Sequence, residues 1–294
     1  MEYIINLIQN SLIPSSLNVV ISKFPDGQQN VSIDNIPMNL SANDSVIIRS
    51  RLNSWKDLEL IVATNAAIRK FTKKVTLYIP YLLGARSDRQ FSKYGNSYLV
   101  DVLAPHINLC EFQQVTVVDV HSDVAAACIK NLDIISNNFF VQEAIEDIFR
   151  KPISDLQDEI VFVAPDAGAA KKVYKLAKEI GFKGDIVVCS KYRDEEGELS
   201  NLSINLDILS NLHKMFIIID DICDGGRTFI NISEYLKKEY GIGLFNKVLF
   251  VTHGIFSQGF DQLLQEFSTI ATTNSYQDFP EMEESPKFTL INVI

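Results

Sequence analysis

The chain has 294 residues, 27 Lys and Arg against 37 Asp and Glu for a net charge of −10, and is 47% hydrophobic and 22% charged. That balance excludes global disorder and supplies no positive field to draw the chain to nucleic acid or anionic lipid. A polyanionic ligand must therefore meet local cations or a metal. At about 150 residues per domain, the length predicts two domains.

The start, Met1-Glu2-Tyr3-Ile4-Ile5-Asn6, lacks the basic opening and continuous apolar stretch of a signal peptide. No apolar run approaches the ~20 residues a bilayer requires, so no membrane partner is expected. Four cysteines, Cys110, Cys128, Cys189 and Cys223, form no C-x-x-C pair, which fits a reducing cytoplasm.

In chain order, the first aromatic turn is Phe24-Pro25-Asp26-Gly27-Gln28, followed by a helical pattern over Leu58 to Phe71. Short apolar, β-branched runs then recur at Val75 to Ile79, Val115 to Val118, Ile160 to Val163, Ile186 to Val188, Phe216 to Ile219 and Val248 to Val251. Four to six continuous apolar residues predict strands buried on both faces. Helical patterns at Val141 to Phe149, Ala169 to Ile180 and Phe229 to Tyr240 lie between them, so the fold class is α/β with mostly parallel central sheets flanked by helices. The seam between domains falls within Ser136 to Asp158, and a boundary at 140/141 divides the chain into domains 1–140 and 141–294. A last strand is predicted over Phe288 to Val293.

Ligands of open α/β sheets sit beyond the carboxyl ends of the strands, and several of those ends are rich in chemistry. The run Asp220-Asp221-Ile222-Cys223-Asp224-Gly225-Gly226-Arg227-Thr228 follows a buried strand and opens a helix. Its glycines let backbone N–H groups approach a phosphate, Thr228 is the expected cap, and Asp220 and Asp221 can accept from vicinal ribose hydroxyls. An acidic turn before a capped helix is the plainer account. His121 and Asp166 each follow another strand and suit a divalent metal bridging phosphates. Lys191 and Arg193 alternate at the start of a polar stretch from Asp194 to Asn205, read as a loop able to close over substrate, with two cations for a transferring phosphoryl group. Arg86 and Arg89 offer forks for a nucleotide's phosphates, or else pair with Asp88 at the surface. Phe24 can stack on a purine beside Asp26 and Gln28. Cys223, set between carboxylates, reads as a packing residue, and His106, His213 and His253 read as structural.

In this order and spacing the motifs resemble those of the ribose-phosphate pyrophosphokinases over nearly the whole chain. Phe24 to Gln28 is similar to F-S-D-G-E, Ile79-Pro80-Tyr81 through Ala85-Arg86-Ser87-Asp88-Arg89 to I-P-Y-x-x-Y-A-R-Q-D-R, and Asp119-Val120-His121-Ser122-Asp123 to D-L-H-A-D. Pro165-Asp166-Ala167-Gly168 resembles P-D-x-G, Lys191-Tyr192-Arg193 resembles K-R-R, Asp220 to Thr228 resembles D-D-M-I-D-T-G-G-T, and Thr252 to Ser257 resembles T-H-G-V-F-S. The resemblance implies two phosphoribosyltransferase-type (type I) domains. It implies Mg²⁺-dependent transfer of the β,γ-pyrophosphoryl group of ATP to the anomeric hydroxyl of ribose 5-phosphate, giving PRPP and AMP, in a homo-oligomer of two or more copies. The ATP-binding residues would be Phe24, Asp26, Gln28, Arg86, Asp88, Arg89 and His121, with His121 and Asp166 serving the metal. Lys191, Arg193 and Asp224 would be catalytic, while Asp220, Asp221, Asp224, Gly225, Gly226, Arg227 and Thr228 would hold the sugar phosphate. At Gly225 the chain lacks the family's hydroxyl, and at Arg227 a long cation replaces glycine. That change raises a second acceptor, a 5-substituted ribose such as ADP-ribose, alongside the alternative of a non-catalytic regulatory homologue.

Overall fold

A computed structural model describes residues 1–8, 11–34, 36–37, 40–193, 199–204 and 212–294, with strand backbone alone over 191–193 and 199–202. Backbone contacts divide the chain into Met1–Ser136, together with Ile294, and Asn137–Val293.

The first unit is a five-stranded parallel sheet of order β1-β4-β5-β6-β7, where β1 is Glu2–Asn6, β4 Ser45–Arg49, β5 Lys74–Tyr78, β6 Gln114–Val118 and β7 Leu132–Ile135. Ile5, Val46, Ile48, Val75, Leu77 and Val117, all fully buried, form the centre of its core with Leu58, Ile61 and Ile68 of helix α1. Helix α1, Trp55–Ile68, begins with a capping box: the Ser54 hydroxyl accepts from Asp57 N–H while Asp57 accepts from Ser54 N–H. This box starts the helix a turn ahead of the first apolar residue of its buried face, so it precedes the expected Leu58 start. A separate antiparallel hairpin, β2 (Asn18–Lys23) with β3 (Gln29–Asp34), carries the Phe24 to Gln28 turn. A π-helical turn, Tyr98–Leu103, runs into α2, Ala104–Leu109, and α3 spans Val124–Cys128.

The second unit contains a seven-stranded sheet of order β10-β9-β8-β11-β12-β13-β14. Its strands are β8 (Ile160–Ala164), β9 (Ile186–Arg193), β10 (Leu199–Ile204), β11 (Met215–Cys223), β12 (Lys247–Gly254), β13 (Thr269–Thr273) and β14 (Phe288–Ile291). All pairings are parallel except β9 with β10. Every residue of β8 and of β12 is buried, as continuous apolar runs require when helices cover both faces. Helix α4, Asn138–Phe149, contacts β12, β13 and β14, and buries Phe140, Val141, Ala144 and Ile145. The expected boundary at 140/141 lies within this helix. Helices α5 (Ala167–Glu179), α6 (Arg227–Tyr240) and α7 (Asp261–Glu266) complete the unit.

One expectation is corrected here. The polar stretch read as a loop from Asp194 to Asn205 contains strand β10, with Lys191 opposite Leu202 and Arg193 opposite Leu199 in the register. Leu199, Leu202 and Ile204 interrupt the polar sequence often enough for pairing, and Ile204 packs against the core of this unit.

Candidate active site

In the second unit, successive strands turn to opposite sides after β8: β9 lies on one flank and β11 on the other. Their divergence makes a topological switch point, where the carboxyl ends of β8 and β11 open a crevice. Asp166 follows β8, and the run from Asp220 to Thr228 ends β11 and enters α6.

Asp166 caps α5 in extended conformation, its Oδ1 accepting from Ala169 N–H at 3.0 Å. Burial pushes the Asp220 carboxyl well above the usual carboxylate range, and the negative charges of Asp221 and Asp166 add to the shift. Asp221 N–H donates to Asp220 Oδ1 at 2.9 Å. Successive residues of β11 face opposite sides of the sheet, and Asp221, 4% exposed, pairs with Lys172 Nζ of α5 at 3.0 Å. Of the two carboxylates expected to receive ribose hydroxyls, Asp220 is the more open, and Asp221 is committed to Lys172. Sequence reasoning missed Lys172 because Lys171 and Lys172 look like the solvated face of α5.

The loop beyond β11 forms an anion cradle. Gly226 is the N-cap of α6 at φ +78°, with no side-chain capping bond, so helix α6 starts at Arg227. The expectation that Thr228 caps the helix is therefore incorrect: a left-handed glycine turns the chain one residue earlier. Among the described residues the N–H groups of Gly225, Gly226, Arg227 and Thr228 donate to no protein acceptor. Four unspent donors at the positive end of a helix are what a phosphate dianion would satisfy. Asp224 and Gly225 are exposed, and Arg227 is exposed with no ion pair among the described residues.

The cradle is braced from β12. Ile255 and Phe256 N–H both donate to Cys223 O, at 2.8 and 3.2 Å. Beneath them lies a buried polar network. His253 Nδ1 meets Ser275 Oγ at 2.8 Å, Thr273 Oγ1 donates to Thr252 O at 2.6 Å, and Asn137 Nδ2 donates to Thr252 Oγ1 at 3.3 Å. His253 is structural, as expected, and Cys223 is fully buried packing.

The remaining expected residues belong to the first unit. Phe24, Asp26 and Gln28 are exposed on the hairpin turn, where Asp26 Oδ1 accepts from Gln28 N–H at 3.1 Å and Gly27 has φ +91°. Arg86 and Arg89 are exposed after β5, and neither pairs with Asp88 among the described residues, so the surface-pair alternative is not observed. Arg89 lies 5.7 Å from the Phe91 ring centroid. His121 is exposed two residues beyond Asp119, which is buried at φ +41°. A non-glycine residue held left-handed at a strand end stores strain of the kind that gathers at functional sites. At neighbouring strand ends Arg49 stacks on Tyr78, 4.2 Å to the ring centroid; burial lowers the guanidinium's pKa and raises the phenol's. The roles expected of the Lys191 and Arg193 side chains lie outside the described residues.

A phosphoribosyl transferase domain model matches residues 133–244, which includes the cradle. A ribose-phosphate pyrophosphokinase of Maricaulis maris is 26% identical over 279 residues, spanning 93% of this chain and 84% of that protein. Its counterpart in Pyrococcus furiosus is also 26% identical, over 88% of this chain and 86% of that one. Over most of its length the chain is thus similar to ribose-phosphate pyrophosphokinases. A phosphoribosylpyrophosphate synthetase of Mycobacterium smegmatis superposes with a TM-score of 0.76 at 19% identity, covering 94% of this chain and 86% of that one. That likeness concerns the fold, which is the α/β architecture of parallel central sheets expected for phosphoribosyltransferase-type domains.

Proposed function

We propose that the chain is a ribose-phosphate pyrophosphokinase, which transfers the β,γ-pyrophosphoryl group of ATP to the anomeric hydroxyl of ribose 5-phosphate, releasing AMP and forming PRPP. The anomeric oxygen attacks the β-phosphorus, the bond from that phosphorus to the α-phosphate oxygen breaks, and the hydroxyl proton is lost. The observation that carries this reading is the pairing of an unspent N–H cradle with the raised Asp220 carboxyl at one switch point. A sugar phosphate has a dianion for the first and hydroxyls for the second. The relatives' name supports the same diphosphotransferase chemistry.

In this reading, Gly225 to Thr228 hold the 5-phosphate, Asp220 and Asp224 orient the ribose, and Lys191 and Arg193 neutralise charge on the group in transit. Phe24, Asp26 and Gln28 receive adenine, and Arg86 and Arg89 the ATP phosphates.

Among the described residues, no group of three or more His, Cys, Asp or Glu side chains is arranged to hold a metal ion. Magnesium needs less from the protein: one or two carboxylates suffice when phosphate oxygens and water complete its octahedron. The carboxylate oxygens of Asp166 and Asp220 fit such an ion, and Asp166 is the residue of this unit proposed to hold it. When bound, it would supply Lewis-acid stabilisation of the pyrophosphoryl oxygens. Exposed Val20, Ile21 and Phe24 on the hairpin support a homo-oligomer of two or more copies, and a cytoplasmic setting belongs to the same proposal. No helix among the described residues is long and apolar enough to cross a membrane.

Arg227 favours a second acceptor. Its guanidinium, which pairs with no carboxylate among the described residues, gives that site capacity beyond one monophosphate, as the diphosphate of ADP-ribose would use. Incubating the chain with ATP, Mg²⁺ and either ribose 5-phosphate or ADP-ribose, then resolving the products by mass, tests both. AMP dependent on ribose 5-phosphate is the expected result. AMP dependent on ADP-ribose alone favours the second acceptor, and AMP from neither leaves a non-catalytic homologue.

A further inference from the structure

The first unit contains a cavity of about 630 Å³ between α1, α2 and the start of β3. Its volume is in the range of sites that enclose a drug-sized ligand. Leu58, Val62, Ala63 and Leu109 give it an apolar bed; of the proposed adenine element Gln28 lines its edge, whereas Phe24 and Asp26 do not line it.

The charged groups around it are already engaged. Arg69 Nη2 pairs with Glu111 at 2.5 Å and its Nη1 donates to Glu111 O at 2.8 Å, while Glu59 accepts from Gln29 Nε2 at 3.0 Å. The groups with unspent capacity carry no fixed charge. Asn65, 3% exposed, gives its Nδ2 to Cys110 O at 2.9 Å, and its Oδ1 is buried without a partner among the described residues. His106 donates Nδ1–H to Val102 O at 2.6 Å, which leaves Nε2 to accept. The Trp55 indole N–H makes no hydrogen bond among the described residues. Trp55 meets His106 edge to face at 5.2 Å and remains 43% exposed.

An exposed aromatic plane, an indole N–H and an imidazole around an apolar bed are means by which proteins hold an unpaired base: stacking on its face and hydrogen bonds to its edge. With both charged groups committed, nothing here compensates a phosphate. We propose that this cavity binds an uncharged, nucleoside-sized bicyclic heteroaromatic molecule, at a site separate from the sugar-phosphate cradle.

Trp55 is the chain's single tryptophan, so intrinsic emission reports from the cavity wall. Adenosine serves as the probe, titrated into the full chain with excitation of Trp55 and with calorimetry in parallel. With ATP saturating, so that the proposed adenine element is filled, the expected result is saturable binding of one adenosine per chain with a change in Trp55 emission. Ala66→Phe, which fills the cavity from an exposed position on α1, should weaken binding at least about tenfold. Val62→Phe, 41% exposed in the native chain, is the second filling variant should the first misfold. No binding up to millimolar adenosine, displacement by ATP, or unchanged affinity in a folded filling variant overturns the proposal. None of these readouts depends on turnover, so the result is independent of the proposed reaction.

Discussion

Replacing Gly226 by alanine isolates what the cradle's geometry demands. At φ +78° an L-residue incurs about 1–2 kcal/mol. The added Cβ would also lie 3.0 Å from Leu263 Cδ2 and 3.3 Å from its Cδ1, and Leu263 is 2% exposed within the core, so relief requires repacking costing on the order of 1 kcal/mol. Reduced freedom of the unfolded chain returns about 0.4–1 kcal/mol. The net loss is about 1–3 kcal/mol, equivalent to roughly 2–10 °C in melting temperature for a unit of this size. Gly225→Ala is the control: its backbone is not left-handed, and its Cβ would make an ordinary 3.4 Å contact with Gln258 Cγ. That variant should stay within about 0.5–1 kcal/mol of the native chain. Thermal unfolding followed by circular dichroism measures both, and the acceptor KM should rise in Gly226→Ala as the cradle N–H groups move. Equal destabilisation by the two alanines, or none by either, would refute the argument that φ and Leu263 together require glycine.

Asp220→Asn tests the carboxylate crowding. Because the folded pKa is raised, the native chain binds that proton more tightly than the unfolded chain. The contribution is fully present below the unfolded value of about 3.9 and is lost as pH rises through the folded value. The stability of Asp220→Asn minus that of the native chain, from urea midpoints, should therefore grow with pH across this window; a flat difference counts against the shift. Lys172→Met leaves Asp221 buried without its cation, and should cost about 1–3 kcal/mol, below the range for fully buried pairs because the lysine side chain is 33% exposed. Asp221→Asn added to Lys172→Met should recover much of that loss in a double-mutant cycle. Lys191→Ala and Arg193→Ala should lower turnover by at least about a hundredfold with smaller changes in substrate affinity; steady-state kinetics showing weaker ATP binding at unchanged turnover would remove them from the transition state.

The strands with four or more consecutive apolar residues were legible because both faces of β8, β11 and β12 are covered, so side-chain polarity cannot alternate. Helix boundaries were less legible. The starts of α1 and α6 depend on Ser54 with Asp57 and on the φ of Gly226, and only the first has a side-chain signature. Asp166, by contrast, is an acidic residue at the head of a helix, and its capping role was available from the pattern alone. The pairing of Lys172 with Asp221 links residues 49 positions apart, which no local periodicity encodes. The T-H-G-I-F-S segment was recognisable as a motif, yet its brace on Cys223 O becomes visible only when β12 pairs with β11.

The electrostatic polarity of the strand-end crevice restricts what it can hold better than either half does alone. Carboxylates gather on the side of Asp166 and Asp220, while uncompensated N–H groups and Arg227 gather at the head of α6. A site made only for anions would gain nothing from crowding acidic groups against one another. A site made only for a cation would gain nothing from four empty donors beside them. A ligand with a dianion at one end and hydroxyls or metal-chelated oxygens at the other satisfies both, and it can bind in one direction only. With the phosphate fixed at Gly225 to Thr228, such a sugar would present its other end to the carboxylates, which is the orientation that transfer to an anomeric hydroxyl requires.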